Sequence, residues 1–200
     1  MPISAGATSM NVVTLSVILG FLALIGSASG PLAGGTQTVD QSRTDEVALS
    51  VTSWDDVQQL AARHRGKVVV IDIWTTTCLT CVEEFPKFVE LQRKYGNDKL
   101  ACISVNCDYD GIKTKPPQWY RDDVLKFLQH NQATFENVML DLSLLDFMEL
   151  IGLNSTPAIL IYGRDGKLAR RFDNDNFTSA NAGFTIQQVA AVIDRSLAGR

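Results

Sequence analysis

Two cysteines, Cys78 and Cys81, stand where the apolar run Val68-Val69-Val70-Ile71-Asp72-Ile73-Trp74 gives way to Thr75-Thr76-Thr77 and then to a helical pattern. Two intervening residues bring both sulfurs into the first turn of that helix, within reach of a single disulfide. A helix start carries unpaired N–H groups and partial positive charge. Both favour thiolate over thiol and can lower a cysteine pKa from about 8.5 to about 7 or below. The chemistry this suits is thiol–disulfide exchange. Cys78, on the exposed side, attacks a disulfide in another molecule, and Cys81, facing the packed interface, resolves the mixed disulfide.

Blander readings of the pair are an inert structural disulfide and half of a zinc site. Zinc needs about four ligands, and the chain offers only two further cysteines, Cys102 and Cys107, and two histidines. If the strand beginning at Leu100 continues to Cys107, these two thiols face opposite sides of a sheet. They then lie roughly 16 Å apart at about 3.3 Å per residue, beyond disulfide reach. Buried free thiols are expected there, and no metal. His64 and His130 fall near helix ends, where a solvated imidazole complements the dipole. Trp119 and Tyr120 are expected to pack an inserted helix, the alternative being a partner-binding surface. Glu84 reads as a first-turn helix acid, and Asp72 as a carboxyl that burial penalises unless it is paired or protonated.

The elements that must position these residues are legible around them. Ser53 followed by Asp56 opens a helix that passes Leu60 and Ala62 and stops at Gly66. The run over 68–74 lacks polar alternation, as a strand buried on both faces does. Phe85, Phe88 and Val89 recur at helical spacing after Cys81, with Pro86 expected to kink the helix. A second buried strand spans Leu100 to Val105. Asp123 to His130 reads as a helix, Asn137 to Leu140 as a short strand and Leu144 to Ile151 as another helix. Ala158 to Tyr162, the turn Gly163-Arg164-Asp165-Gly166 and Lys167 to Phe172 form a hairpin. Thr185 and Gln188 make a capping box for a last helix whose apolar face holds Ile186, Val189, Ala190, Ile193 and Leu197. Strands alternating with helices give an α/β class with a mixed sheet.

No charged side chain precedes Asp40, and Val12 to Ile25 is a largely apolar run followed by Gly26-Ser27-Ala28. The run is short of the about 20 residues of a membrane span but suits a secretory leader. Residues 1–28 are therefore expected to be a signal peptide, or an uncleaved N-terminal anchor built on 12–25, with 29–48 a flexible linker and 49–200 the folded domain. The 200 residues are 46% hydrophobic and 20% charged, with a formal net charge of −4. That composition is globular and lacks the basic excess of a nucleic-acid-binding protein.

Asp72, Trp74, Cys78-Leu79-Thr80-Cys81 and, far downstream, Ser155-Thr156-Pro157-Ala158 together resemble the thioredoxin superfamily. Glu84-Phe85-Pro86 and the segment ending Ala133-Thr134-Phe135-Glu136-Asn137-Val138 resemble its exported TlpA/ResA-like branch. The resemblance implies a thioredoxin-like fold with an insertion before a cis-proline at Pro157. It implies catalytic roles for Cys78, Cys81 and Asp72, and substrate contact at Trp74, Thr156 and Pro157. Glu84 and Thr77 take supporting places, Thr77 standing where many relatives have tryptophan. The only cofactor implied is the redox-active Cys78–Cys81 disulfide. The partners implied are protein disulfides or dithiols and an upstream redox donor or acceptor, outside the cytoplasm, for a monomeric protein. Competing readings are a thioredoxin-like module that binds without turnover, and a thiol peroxidase suggested by Thr75-x-x-Cys78. The second lacks its expected proline, since Ile71 occupies that place.

Overall fold

The computed structural model describes residues 46–173 and 183–199. The expected leader, its apolar run 12–25 and the linker as far as residue 45 lie outside the described residues. Strand β1 (Ser50–Thr52) leads to helix α1 (Trp54–Arg63), β2 (Val68–Trp74), α2 (Leu79–Tyr95) and β3 (Leu100–Asn106). A 3-10 turn (Pro117–Trp119), α3 (Arg121–His130), β4 (Glu136–Leu140) and α4 (Leu144–Ile151) follow. The hairpin β5 (Ala158–Tyr162) and β6 (Leu168–Phe172), then α5 (Ile186–Leu197), complete the described part. The α/β class and the central mixed sheet flanked by helices are as the sequence indicates.

The six strands lie in the order β1-β4-β3-β2-β5-β6. The pairs β1–β4, β4–β3 and β3–β2 are parallel, whereas β5 runs antiparallel to both β2 and β6. β2 and β3 are buried at every position, which is why neither shows polar alternation. Alternate residues of β2 feed two cores. Val68, Val70 and Trp74 join Phe85, Phe88 and Val89 of α2 and Val189 and Ile193 of α5. Val69, Ile71 and Ile73 join Val57 and Leu60 of α1 and Phe147 of α4 on the other face.

Local signals fix the ends of these elements. The Ser53 hydroxyl accepts the Asp56 N–H at 3.2 Å, and both halves of the Thr185/Gln188 capping box are formed. Each such cap is worth about 1 kcal/mol. At the hairpin, Gly166 has φ +78°, and a Cβ there would lie 2.9 Å from Arg65 Nε. Glycine meets both demands. Helix α2 runs continuously through Pro86.

Two expectations about side chains are corrected. Trp119 does not pack the inserted segment: it is 65% exposed, with the Lys115 ammonium 5.9 Å above its ring. The neighbouring Tyr120 makes the packing contact instead, its ring 6.3 Å from that of Tyr109. His64 is not a solvated dipole partner, because its Nε2 lies 2.6 Å from Glu136 Oε2 and ties the end of α1 to β4. Strand β1 has no sequence signal of its own, since three residues at a sheet edge are too few for a period.

Candidate active site

The parallel register Trp74↔Asn106 and the antiparallel register Ile73↔Ala158 bring three chain segments to one end of the sheet. They are the Thr75–Cys78 loop after β2, the residues after β3, and Thr156-Pro157 before β5. Cys78 is the N-cap of α2, and its sulfur accepts the Cys81 N–H at 3.2 Å. The two cysteines form a disulfide with their Cα atoms 5.2 Å apart. Cys78 is half-buried and Cys81 is 3% exposed, the asymmetry expected of an attacking and a resolving thiol. Leu79, between them, is 72% exposed and leaves an apolar side chain at the rim.

Asp72 alternates with Val70 and Trp74 along β2 and so falls on the α2 face of the sheet, the face of the core that holds Cys81. It is 6% exposed, and loss of hydration raises its pKa to about 7. A carboxyl so placed holds its proton near neutral pH and can give it up or take it back. Cys102 lies on this face and Cys107 on the other. Both are buried and free, as the strand parity requires. Burial, with Asp72 nearby, pushes both thiols up, so neither offers a ready thiolate.

Trp74 was expected to touch substrate, and this is corrected. It has no exposed surface; its ring lies 4.8 Å from those of Phe85 and Phe127, and its Nε1–H donates to Ser104 Oγ at 3.0 Å. It supports the site from below. Glu84 falls in the second turn of α2 rather than the first, because the helix begins at Leu79, and it pairs with Lys87 at 2.5 Å. Thr77 is exposed, and its hydroxyl lies 3.2 Å from that of Thr75. Thr156-Pro157 is a cis peptide bond, with Thr156 half-buried and Pro157 buried. Among the described residues no three His, Cys, Asp or Glu side chains gather as a metal site.

One contact at the site has no counterpart in the sequence reading. Asp108, just beyond β3, accepts the Thr76 N–H at 2.7 Å and the Thr76 hydroxyl at 2.6 Å. The polar run Asn106-Cys107-Asp108 at the carboxyl end of a buried strand was the available signal, because such ends collect sites in parallel sheets.

Residues 46–195 match the family model described as Redoxin. Among curated proteins, the thioredoxin-like protein YneN of Bacillus subtilis is 43% identical over 42 residues, 21% of this chain and 24% of that protein. The chloroplastic protein Suppressor of Quenching 1 of Arabidopsis thaliana is 28% identical over 123 residues, 60% of this chain. The chain spans about a quarter of the first relative and 11% of the second. Among solved structures, a thiol-disulfide isomerase from Corynebacterium glutamicum aligns with TM-score 0.53 at 15% identity, over 78% of this chain and 97% of that one. A secreted disulfide oxidoreductase of Mycobacterium tuberculosis aligns with TM-score 0.50 at 16% identity, over 78% and 98%. These two likenesses establish the thioredoxin-like fold.

Proposed function

We propose that this chain, which belongs to the Redoxin family and has a thioredoxin-like oxidoreductase fold, uses Cys78 and Cys81 to reduce disulfides in exported protein substrates. The observation that carries this reading is a half-buried Cys78 capping α2 with its sulfur on the Cys81 N–H, just after a strand that carries the buried Asp72. In the reduced protein the Cys78 thiolate attacks one sulfur of a substrate disulfide. A Cys78–substrate bond forms, and the other substrate sulfur leaves as a thiolate. Cys81 then loses its proton, with Asp72 as the acceptor on the same face, and attacks Cys78 Sγ. The Cys78–Cys81 bond closes, the second substrate sulfur leaves, and two electrons have passed to the substrate. An upstream dithiol reverses the closure.

Thr156 and Pro157 immediately precede Ala158, which pairs with Ile73 at the end of the sheet from which the cysteine loop leaves. A half-buried backbone there can align an extended substrate strand by main-chain hydrogen bonds. In this reading Glu84, paired with Lys87, and the exposed Thr77 hold no chemical step. An extracytoplasmic setting is supported by the uncharged residues 1–39 and their apolar run, and by the secreted mycobacterial protein of the same fold. Among the described residues no helix is long and apolar enough to cross a membrane. The protein acts as a monomer in this reading.

The test is turnover. Reduced protein, recycled by dithiothreitol, is expected to accelerate the reduction of insulin disulfides, read as precipitation of the free B chain. A rate no greater than that of dithiothreitol alone contradicts the assignment and favours a binding module.

A further inference from the structure

We propose that Asp108 is a positioning residue for the Cys78–Cys81 couple, holding the loop that delivers Cys78 through both of its carboxylate oxygens. The assignment rests on the exchange reading above and adds to it a residue 30 positions from the first cysteine, just beyond β3.

The loop Thr75–Thr77 lies between the last ladder residue of β2 and the cap of α2, so no regular hydrogen bonding fixes it. Its own bonds are weak or local. The Cys78 N–H reaches the Thr75 carbonyl at 3.4 Å, and the Thr75 and Thr77 hydroxyls meet at 3.2 Å. Against these stand the two short contacts from Thr76 to Asp108, at 2.7 Å from its backbone N–H and 2.6 Å from its hydroxyl. Hydrogen bonds to an ionised acceptor are roughly twice as strong as neutral ones. A carboxylate offers two acceptors in one plane, which suits an N–H and an O–H arriving together.

Asp108 is itself held. Its N–H donates to Asn106 Oδ1 at 3.0 Å, and the Cys107 N–H donates to the Trp74 carbonyl at 2.9 Å. Residues 106–108 therefore continue alongside 74–76 after both strands have ended. The result is a rigid bridge from β3 to the residue two before Cys78. Its demand is geometric: the Cys78 sulfur must stay on the Cys81 N–H, where the helix start lowers its pKa. Displacements of about 1 Å at reacting atoms can cost on the order of a hundredfold in rate. The charge of Asp108, held on the residue two before Cys78, acts the other way, since a nearby anion disfavours a thiolate. Position and charge therefore make opposite predictions, which separates them experimentally.

The experiment compares Asp108→Ala, Asp108→Asn and Thr76→Val in the full chain. It reads insulin turnover and the pH dependence of Cys78 alkylation by iodoacetamide in the reduced protein. Asp108→Ala, which loses the bridge, is expected to slow turnover at least about tenfold and to move the alkylation midpoint upward, toward the about 8.5 of ordinary cysteine. Asp108→Asn keeps an oxygen for the Thr76 N–H and an amide donor for its hydroxyl. It is expected to stay within about threefold of the parent, with a midpoint no higher. Thr76→Val removes one of the two bonds, is expected to fall between them, and adds nothing to Asp108→Ala. A folded Asp108→Ala with parental turnover and midpoint overturns the proposal, as does an Asp108→Asn equally impaired. Should Asp108→Ala not fold, parental turnover and midpoint in Thr76→Val overturn it. A parent that turns over no insulin defeats the exchange reading instead, and the alkylation profiles then decide the role of Asp108 alone.

Discussion

Cys78→Ser is expected to lower insulin reduction at least about a thousandfold, because a hydroxyl at that position neither ionises near neutral pH nor attacks a disulfide. Cys81→Ser is expected to fail differently. Cys78 can still attack, but nothing resolves the adduct, so a mixed disulfide with the substrate accumulates through Cys78. The asymmetry follows from the site: Cys78 is half-buried at the helix cap, whereas Cys81 is 3% exposed beneath it. Non-reducing electrophoresis with an insulin-derived disulfide peptide reads both variants. Adduct through Cys81 in the Cys78→Ser protein, or none in either, contradicts the assigned order of attack. Turnover that survives Cys78→Ser contradicts the assignment of Cys78 as the attacking thiol.

The second large effect concerns Asp72. In the disulfide state, burial holds its pKa at about 7 against the ordinary aspartate value of 3.8. The folded protein thus keeps a proton that the unfolded chain releases, and stability falls as pH rises from about 4 to about 7. Below about pH 4 both states are protonated and there is no penalty. Above about pH 7 the penalty is complete, up to about 4 kcal/mol at roughly 1.4 kcal/mol for each pKa unit. Asp72→Asn, a neutral replacement of the same shape, is therefore expected to stabilise the oxidised protein at pH 8 and to leave it nearly unchanged at pH 4. Urea unfolding at the two pH values measures this. An equal difference at both contradicts the raised carboxyl. The same variant is expected to lose about a hundredfold in turnover, since no group on that face then takes the Cys81 proton. A residue that costs stability while serving the reaction is a common compromise at active sites.

What could be read from the chain without its fold depended on range. The apolar run over 68–74, the Ser53 cap, the Thr185/Gln188 box and the helical spacing of Phe85, Phe88 and Val89 are local patterns, and each folds as its pattern dictates. The odd separation of Cys102 and Cys107 likewise places them on opposite faces. Pairings across the chain carried no such mark. His64 and Glu136 are 72 residues apart, and Thr76 and Asp108 are 32 apart; both meet only because β3 lies between β2 and β4. Two errors arose locally. Glu84 sits six residues past the Cys78 cap, in the second turn, because α2 begins at Leu79. Trp119 was assigned to packing because large aromatic residues usually bury their area, yet its segment is anchored instead by the buried Pro117. Trp74 shows a third limit: proximity to the cysteines in sequence says nothing of which way an indole points, and this one points into the core.

The midpoint potential of the Cys78–Cys81 couple, measured by equilibration with thiol buffers, bears most directly on whether these sulfurs open and close as a working pair. A reversible two-electron transition near about −270 mV, the range of dithiol reductants, is the result expected. A pair that stays closed well below about −300 mV behaves as a structural crosslink and contradicts the account.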